Sequence, residues 1–142
     1  MIVTIPGEPV AQGRPRFARA GKFVRTYDPA KSRNWKAMAT DFFRQAMPED
    51  AAGLRLMFPS GPVEVEIVAV FSCPKGDHRK VPVGRRPHSK RPDCENVAKA
   101  ILDAATAAGV WGDDSQVQVL GVVKWIAAQG EAPYVRVEVE AA

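Results

Sequence analysis

The residues best suited to chemistry lie in two short stretches, residues 90–99 (KRPDCENVAK) and residues 111–117 (WGDDSQV). In the first stretch Asp93 and Glu95 are separated by a single residue and Lys99 follows, and the second stretch holds an acid pair. Carboxylates that meet at one point repel each other unless a cation lies between them, and hard divalent ions prefer carboxylate oxygen. Because a basic run comes just before these acids, the composition indicates a metal-dependent phosphodiesterase site.

Two elements must position these acids. In an extended segment residues i and i+2 share a face, whereas in a helix they point to nearly opposite sides. Pro92 disfavours a helix in the residue before it. We therefore predict that residues 91–95 are extended, with both carboxylates pointing the same way, and that a helix begins near Asn96 and ends at Gly109. The apolar stripe of this helix consists of Val97, Ile101, Ala104, Ala105 and Ala108.

Lys99 falls in the first turn of the predicted helix, where a positive charge opposes the helix dipole and needs a local partner. Such a lysine can orient an attacking water or neutralise charge on a phosphate in the transition state. A simpler interpretation stays open, because Glu95–Lys99 and Lys99–Asp103 are ordinary i,i+4 pairs and Gly-Asp-Asp-Ser is ordinary turn chemistry. The combination with the flanking basic runs favours the catalytic interpretation.

The same residues carry a family resemblance. The chain resembles the RusA-type Holliday-junction resolvases, whose signature is an Asp-x-Asp-Asn-x-x-Lys run, a helix, and then Trp-x-Asp-Asp-x-Gln-Val. Here the first run reads DCENVAK over residues 93–99 and the second reads WGDDSQV over residues 111–117. Glu95 stands where the family more often has Asp, which keeps the ligand type and adds about one methylene of reach.

The resemblance implies roles for individual residues. Asp93, Glu95 and Asp114 would bind Mg²⁺, with Mn²⁺ as a substitute, and Lys99 would be the catalytic lysine. Of the acid pair, Asp114 rather than Asp113 is the predicted ligand. The resemblance also implies a homodimer that acts on branched DNA, a four-way junction, because two symmetric incisions need two active sites.

Composition indicates one globular domain over residues 1–142, since this length suffices for one core and is too short for two ordinary domains. Two cysteines are too few for a disulfide framework and point to a reducing interior. Cys94, between the acids, is expected to fill space rather than to act as a nucleophile. The N-terminus lacks the pattern of a signal peptide, and no apolar run is long enough to cross a membrane. We therefore expect a cytoplasmic protein.

Basic residues are unevenly distributed, although the net charge is only +4. Residues 13–25 carry five bases and no acid, and residues 72–92 carry seven bases and one acid. Segregated positive charge suits a polyanion, while a solvated basic loop is the alternative. The residues predicted to contact DNA are Arg14, Arg16, Lys90, Arg91 and Lys124. Lys124 is included through the resemblance, and a role in surface solubility is its alternative.

Aromatic and histidine side chains accompany these bases. Phe17 and Phe23 lie among the arginines of residues 13–25 and either stack on bases or anchor the loop, and anchoring is the favoured role. His78 and His88 lie in the second basic stretch and are assigned no catalytic role.

Periodicity predicts the other elements of a compact α/β domain of the α+β type, a mixed sheet with two main helices packed on it. The predicted strands are residues 1–5, 63–71, 116–126 and 134–140, with residues 63–71 central and residues 128–131 forming a hairpin turn. A further helix runs from Pro29 to about Met47 with Trp35, Met38, Ala39, Phe42 and Ala46 on one face. An apolar loop patch consists of Leu54, Leu56, Met57 and Phe58.

These features predict a structure-selective endodeoxyribonuclease that resolves Holliday junctions by Mg²⁺-dependent hydrolysis with paired symmetric nicks. Two alternatives stay open. One is a nuclease for other branched or single-stranded DNA, and the other is a non-catalytic DNA-binding module with a structural metal site.

Overall fold

A computed structural model describes residues 1–49 and 57–142. Two helices and two sheets form an α+β fold. The strands are β1 (Ile2–Pro6), β2 (Arg16–Ala20), β3 (Phe23–Tyr27), β4 (Val63–Phe71), β5 (Arg86–Pro87), β6 (Val117–Ile126) and β7 (Tyr134–Ala141). The helices are α1 (Ala30–Ala46) and α2 (Cys94–Ala108).

The main sheet has five strands in the order β1-β7-β4-β6-β5. Strand β4 is central, as predicted from its apolar run, and it is parallel to β6 and antiparallel to β7. Helix α2 lies in the crossover between the parallel strands β4 and β6, which is the connection that such a pair requires.

Residues 128–131 were predicted as a hairpin turn, and this prediction is wrong. Strands β6 and β7 lie on opposite sides of β4 and do not pair with each other, so the connection between them passes the end of β4. The physical reason is that β4 is apolar enough to be buried between two neighbours, whereas the turn residues alone cannot reveal which strands pair.

Both helices pack on the same face of the main sheet, α1 beside β1 and α2 beside β6. The predicted apolar stripe of α2 is confirmed, since all five of its residues are buried. Gly109 ends α2 in the left-handed conformation, at φ 87°, as expected of a helix stop. Val135, Val137 and Val139 of β7 complete the core below the helices.

Helix α1 is rotated slightly from the predicted orientation. Trp35 and Ala39 are buried as predicted, but Phe43 is fully buried while Phe42 is only partly so. Met38 is exposed. Met57 and Phe58 of the predicted loop patch pack partly buried against the core, and Leu54 and Leu56 lie outside the described residues.

Strand β6 has an edge that is largely open. Strand β5 pairs with it only at Trp125 and Ile126, so within the described chain no strand covers its edge from Val117 to Lys124. Val119 and Val123 point away from the helices and are exposed. No helix in the described residues is long and apolar enough to cross a membrane.

Strands β2 and β3 form a separate two-stranded sheet. Every residue from 14 to 27 is exposed, so this hairpin extends from the body of the domain. We call residues 14–27 the arm. Gly21 forms its turn at φ 62°, a conformation that glycine adopts without strain.

Candidate functional site

The start of α2 differs from the prediction. The helix begins at Cys94, two residues earlier than expected, and Asp93 is its N-cap residue, without a side-chain hydrogen bond to the helix. The prediction of an extended segment through residue 95 is therefore wrong. Pro92 constrains the residue before it but leaves the residues after it free to be helical. Asp93 and Glu95 consequently point to different sides of the helix start.

One cavity of about 440 Å³ lies between α2 and β6. Glu95, Lys99 and Asp114 all line it, together with Asp103. Glu95 and Lys99 are one helical turn apart, and the turn after Gly109 returns the chain so that Asp114 faces them. The structure thus brings these three residues together at one cavity, and their role as a site stays a prediction.

Asp93 lines a neighbouring cavity of about 370 Å³ with Arg14 and Arg91, and it does not line the cavity of Glu95. Across residues 1–49 and 57–142 no three His, Cys, Asp or Glu side chains are clustered closely enough to hold a metal ion together. The predicted three-acid metal site is thus represented by two acids in one cavity and one acid beside it. Cys94, expected to fill space, is exposed at the edge of the cavity.

The donor set of the cavity suits Mg²⁺. This ion usually binds one or two protein carboxylates and keeps several waters for contact with a phosphate. Among the described residues, no hydrogen bond or ion pair engages the carboxylates of Asp93, Glu95 or Asp114. Two unpartnered carboxylates on an open cavity therefore match the ligands that Mg²⁺ requires.

Asp113 has a different role from its neighbour. Its carboxylate accepts a hydrogen bond from the Ser115 backbone amide at 2.9 Å, and the Gln116 side chain accepts one from the Gly112 amide at 2.8 Å. Hydrogen bonds from the side chain and backbone of Ser115 lower the pKa of Asp113. Asp113 thus caps the short 3₁₀ turn Asp114–Gln116, which positions Asp114 at the cavity.

Lys99 finds the local partner that its position in the helix requires. Its ammonium group lies 3.9 Å from a carboxylate oxygen of Asp103, one turn further along α2. Lys99 itself is 63% exposed, so the group is available to a ligand in the cavity. The other carboxylate oxygen of Asp103 lies 3.3 Å from the Lys36 ammonium group.

Lys36, on helix α1, was not assigned to the site from the sequence. Its side chain is only 18% exposed and contacts both Asp28, at 2.5 Å, and Asp103. It also donates to the Gln12 side chain at 2.8 Å, and Gln12 donates to Asp28 at 2.6 Å. Lys36 therefore connects both ends of the arm to the wall of the cavity.

Opposite charges perturb the pKa values of this network. The hydrogen bond from Lys36 is the largest cause of a lowered pKa at Asp28. Burial lowers the pKa of Lys36, but the hydrogen bonds to Asp28 and Asp103 together outweigh it and the net shift is upward. No local sequence pattern marks this network, since its members come from three separate segments.

Comparison with known proteins decides the family. The chain matches the family described as Endodeoxyribonuclease RusA over residues 6–140. It is also 33% identical over 128 residues to an uncharacterized protein, YqaN, of Bacillus subtilis (strain 168), an alignment that covers 86% of this chain and 84% of that protein. The chain belongs to the RusA endodeoxyribonuclease family. This finding agrees with the resemblance carried by the two acid stretches, and it identifies the chain as an endodeoxyribonuclease.

The predicted DNA-contacting bases of this RusA-family chain surround the segment that leads to Asp93. Arg14 and Arg91 line the cavity of Asp93, and Lys90 and Arg91 line a larger groove of about 850 Å³ that the same segment borders. Arg16 begins β2 and, with Arg14, lines a third cavity. In the described chain none of these four side chains has a hydrogen bond or ion pair. They are therefore available to a polyanion.

Lys124, also predicted to contact DNA, has other partners. Its ammonium group donates to the Lys90 carbonyl at 2.7 Å and to the Pro92 carbonyl at 2.6 Å. Lys124 thus holds the segment just before Asp93 against β6. A DNA contact by Lys124 stays a prediction, and these two hydrogen bonds give the residue a positioning role.

His88 packs in the same region of the RusA-family fold. Its ring lies 4.7 Å from that of Phe71, and its Nδ1 atom accepts a hydrogen bond from the Lys90 amide at 3.2 Å. Burial and, secondly, the charge of Lys124 lower the pKa of His88. His88 thus packs on Phe71 and supports the backbone of Lys90.

Proposed function

We propose that this chain resolves Holliday junctions by Mg²⁺-dependent phosphodiester hydrolysis, with the reaction in the cavity between α2 and β6. The observation that carries the proposal is the shared cavity of Glu95, Asp114 and Lys99, lined by two carboxylates and an exposed ammonium group. Neither carboxylate has a hydrogen bond or ion pair within residues 1–49 and 57–142, and the same holds for the side chains of Arg14 and Arg91 in the neighbouring cavity. Such bases bind phosphate oxygens.

Glu95 and Asp114 would hold the metal ion, with Asp93 as the third acid of the family pattern. A bound Mg²⁺, or Mn²⁺ in its place, supplies Lewis-acid activation of water and charge neutralisation at the phosphate. The longer side chain of Glu95 extends its carboxylate from the first turn of α2 into the cavity. Because Asp113 caps the 3₁₀ turn, the backbone of Asp114 is held in place. Asp114 would therefore need little rearrangement to bind the metal ion.

Lys99 would act on the phosphate directly. Its ammonium group lies beside the carboxylates and is held only loosely by Asp103. As negative charge grows on the phosphate oxygens in the transition state, the nearby positive charge stabilises them more than it stabilises the ground state. Lys36 forms an ion pair with the other carboxylate oxygen of Asp103. This second positive charge weakens the attraction between Asp103 and Lys99, so the Lys99 ammonium group would stay available to the phosphate.

Resolution of a four-way junction requires two incisions related by symmetry, and we propose a homodimer with one site in each subunit. Affinity would come from phosphate contacts by Arg14, Arg16, Lys90 and Arg91. Selectivity for the junction would come from its shape, since phosphate contacts carry no sequence information.

The neighbouring acids Asp113 and Asp114 provide a matched test. With a labelled four-way junction and Mg²⁺, D114N and D93N should nick at least roughly 100-fold more slowly than the wild type because a charged oxygen ligand is lost. Binding of the junction in EDTA should stay unchanged or strengthen. D113N keeps an oxygen that accepts from Ser115 and should nick at nearly the wild-type rate.

The outcomes separate the alternatives. Paired nicks at symmetric positions support the resolvase, whereas nicking of single strands or flaps in preference to junctions favours a nuclease for other DNA structures. A wild-type protein that shifts the junction but never nicks it with Mg²⁺ or Mn²⁺ indicates the non-catalytic module. Unchanged nicking by D114N would show that the reaction takes place elsewhere.

A further inference from the structure

The arm exposes large apolar side chains that the body of the domain does not cover. Phe17 is 72% exposed and Phe23 is 77% exposed. Anchoring of the loop was the role favoured for both residues from the sequence, and their exposure contradicts it. Each aromatic ring is therefore free to contact a partner.

The two rings point to opposite faces of the arm. In the register of β2 and β3, Phe17 is opposite Thr26, and Ala20 is opposite Phe23. Residues directly opposite each other share a face and neighbours along a strand alternate, so Phe17 lies on one face and Phe23 on the other. Arg19 shares the face of Phe17, while Arg16 and Arg25 share the face of Phe23. Each face thus combines an aromatic ring with at least one arginine.

The charge of the arm is entirely positive. Its bases are Arg14, Arg16, Arg19, Lys22 and Arg25, and its 14 residues include no acid. Among the described residues none of these five side chains forms a hydrogen bond or ion pair. Cations without partners that alternate with exposed rings are the features that bind unpaired nucleotides, by phosphate contacts and base stacking.

We propose that the arm binds unstacked nucleotides at the branch point of the DNA substrate, with Phe17 and Phe23 stacking on bases at its two faces. The inference rests on the proposed function and deepens it by naming the part of the substrate that the arm contacts. Arg16, Arg19 and Arg25 would bind the phosphates that flank the stacked bases.

Unpaired bases fit this surface better than a second copy of the chain does. A protein surface that docks on one face of the two-stranded ribbon would leave the ring on the other face in water. Bases opened at a junction are available on both sides of an inserted ribbon, and their backbones carry the negative charge that the five cations require. Continuous duplex offers no unstacked base, so the contact is specific for opened DNA.

Alanine and conservative substitutions in the full-length protein test the proposal. Binding would be measured in EDTA by fluorescence anisotropy with a labelled four-way junction, a single strand and a linear duplex. F17A and F23A should each weaken junction binding about fivefold, and the double variant about 25-fold, with duplex affinity within about twofold of the wild type. F17L/F23L keeps apolar volume without a ring and should weaken binding similarly, whereas F17Y/F23Y should restore it.

Val24 provides the matched control, because it is 64% exposed on the same ribbon and has no ring. V24A should bind as the wild type does. Thermal melting checks that all variants fold, which their exposed positions predict. The salt dependence of binding should stay unchanged in F17A/F23A, since every phosphate contact is kept.

If F17A/F23A binds the junction with wild-type affinity and nicks it normally, the inference is overturned and the proposed function stands. Conversion of a dimer to a monomer by F17A/F23A in analytical ultracentrifugation would assign the rings to a contact between subunits and also overturn it. A wild-type protein that neither binds nor nicks the junction would overturn the proposed function and this inference together.

Discussion

Residues 14–36 and residues 75–91 are the two most basic stretches of the chain, yet their side chains have different partners. The first holds eight bases and one acid, and the second holds seven bases and one acid. In the first stretch, which the structure describes throughout, Lys36 is the only base whose side chain has a hydrogen bond or ion pair. In the second, three arginines are engaged by groups of the protein itself.

The engaged arginines hold the loop before α2 in place. Arg79 donates to the carbonyls of Gly76 and His78, at 3.0 and 2.8 Å. Arg85 forms an ion pair with Glu131, and Arg86 forms one with Asp77. Similar positive charge in the two stretches therefore does not mean equal availability to DNA. Among the described residues, all five bases of the arm lack a side-chain partner, whereas only four of the seven bases of residues 75–91 do.

Removal of the arm's first two arginines should have the largest effect on DNA binding. R14A/R16A should bind a junction about 100-fold more weakly, because each charge-assisted contact contributes roughly tenfold. The slope of the logarithm of the association constant against the logarithm of the salt concentration should fall by about two units, as expected for two lost phosphate contacts. R79A, which removes a guanidinium group that donates to protein carbonyls, should leave that slope unchanged. An equal loss of slope in R79A would break the distinction between engaged and free bases.

Replacement of Lys36 should destabilise the protein by about 2 kcal/mol at neutral pH, because hydrogen bonds between charged groups are lost in a partly buried network. Asp28 has a lowered pKa in the folded state, so its contribution is present above its unfolded pKa of about 3.9 and is lost as the pH falls through the folded value. Lys36 has a raised pKa, so its contribution is present below about pH 10 and is lost as the pH rises further.

The difference in unfolding free energy between the wild type and K36M should therefore be largest between about pH 5 and 9 and shrink below about pH 4. Urea denaturation at several pH values measures it. At neutral pH, D28N should lose the same unfolding free energy as K36M. As the pH is lowered, the unfolding free energy of D28N should fall less than that of the wild type. A constant difference from pH 3 to pH 8 would mean that Lys36 stabilises through packing of its alkyl chain instead.

The smallest effect is expected for the engaged arginines of the second stretch. R85A should lower the free energy of unfolding by less than about 1 kcal/mol, because the pair with Glu131 is partly exposed and screened by solvent. Junction affinity should stay within about twofold of the wild type. Loss of DNA binding in R85A with unchanged stability would show that this arginine exchanges its protein partner for phosphate.

Patterns that repeat within one element predicted the fold well. Residues 63–71, which alternate and then become wholly apolar, identified the central strand, and the four-three-four spacing from Val97 identified the buried face of α2. Gly109 marked the end of α2 because a left-handed residue is needed there. These features depend on the period of a helix or strand, which the sequence displays directly.

Features that depend on contacts between distant segments were missed. The sequence did not indicate that β7 inserts between β1 and β4, or that Lys36 contacts Asp28 and Asp103. The start of α2 was placed too late, so Asp93 and Glu95 were expected in one cavity and line two. Capping by Asp113 depends on a 3₁₀ turn whose bounds periodicity does not reveal.

The two ends of the arm meet at its base. Gln12 and Asp28 are joined by one hydrogen bond, and a side chain at Gly13 would come within 2.8 Å of Pro29, so the closure is tight. A segment closed in this way can be replaced by one of another length or composition without displacing the chain on either side. Replacement of the arm by ribbons of other sequences would thus give endonucleases that share one catalytic domain and differ in the DNA structures that they select.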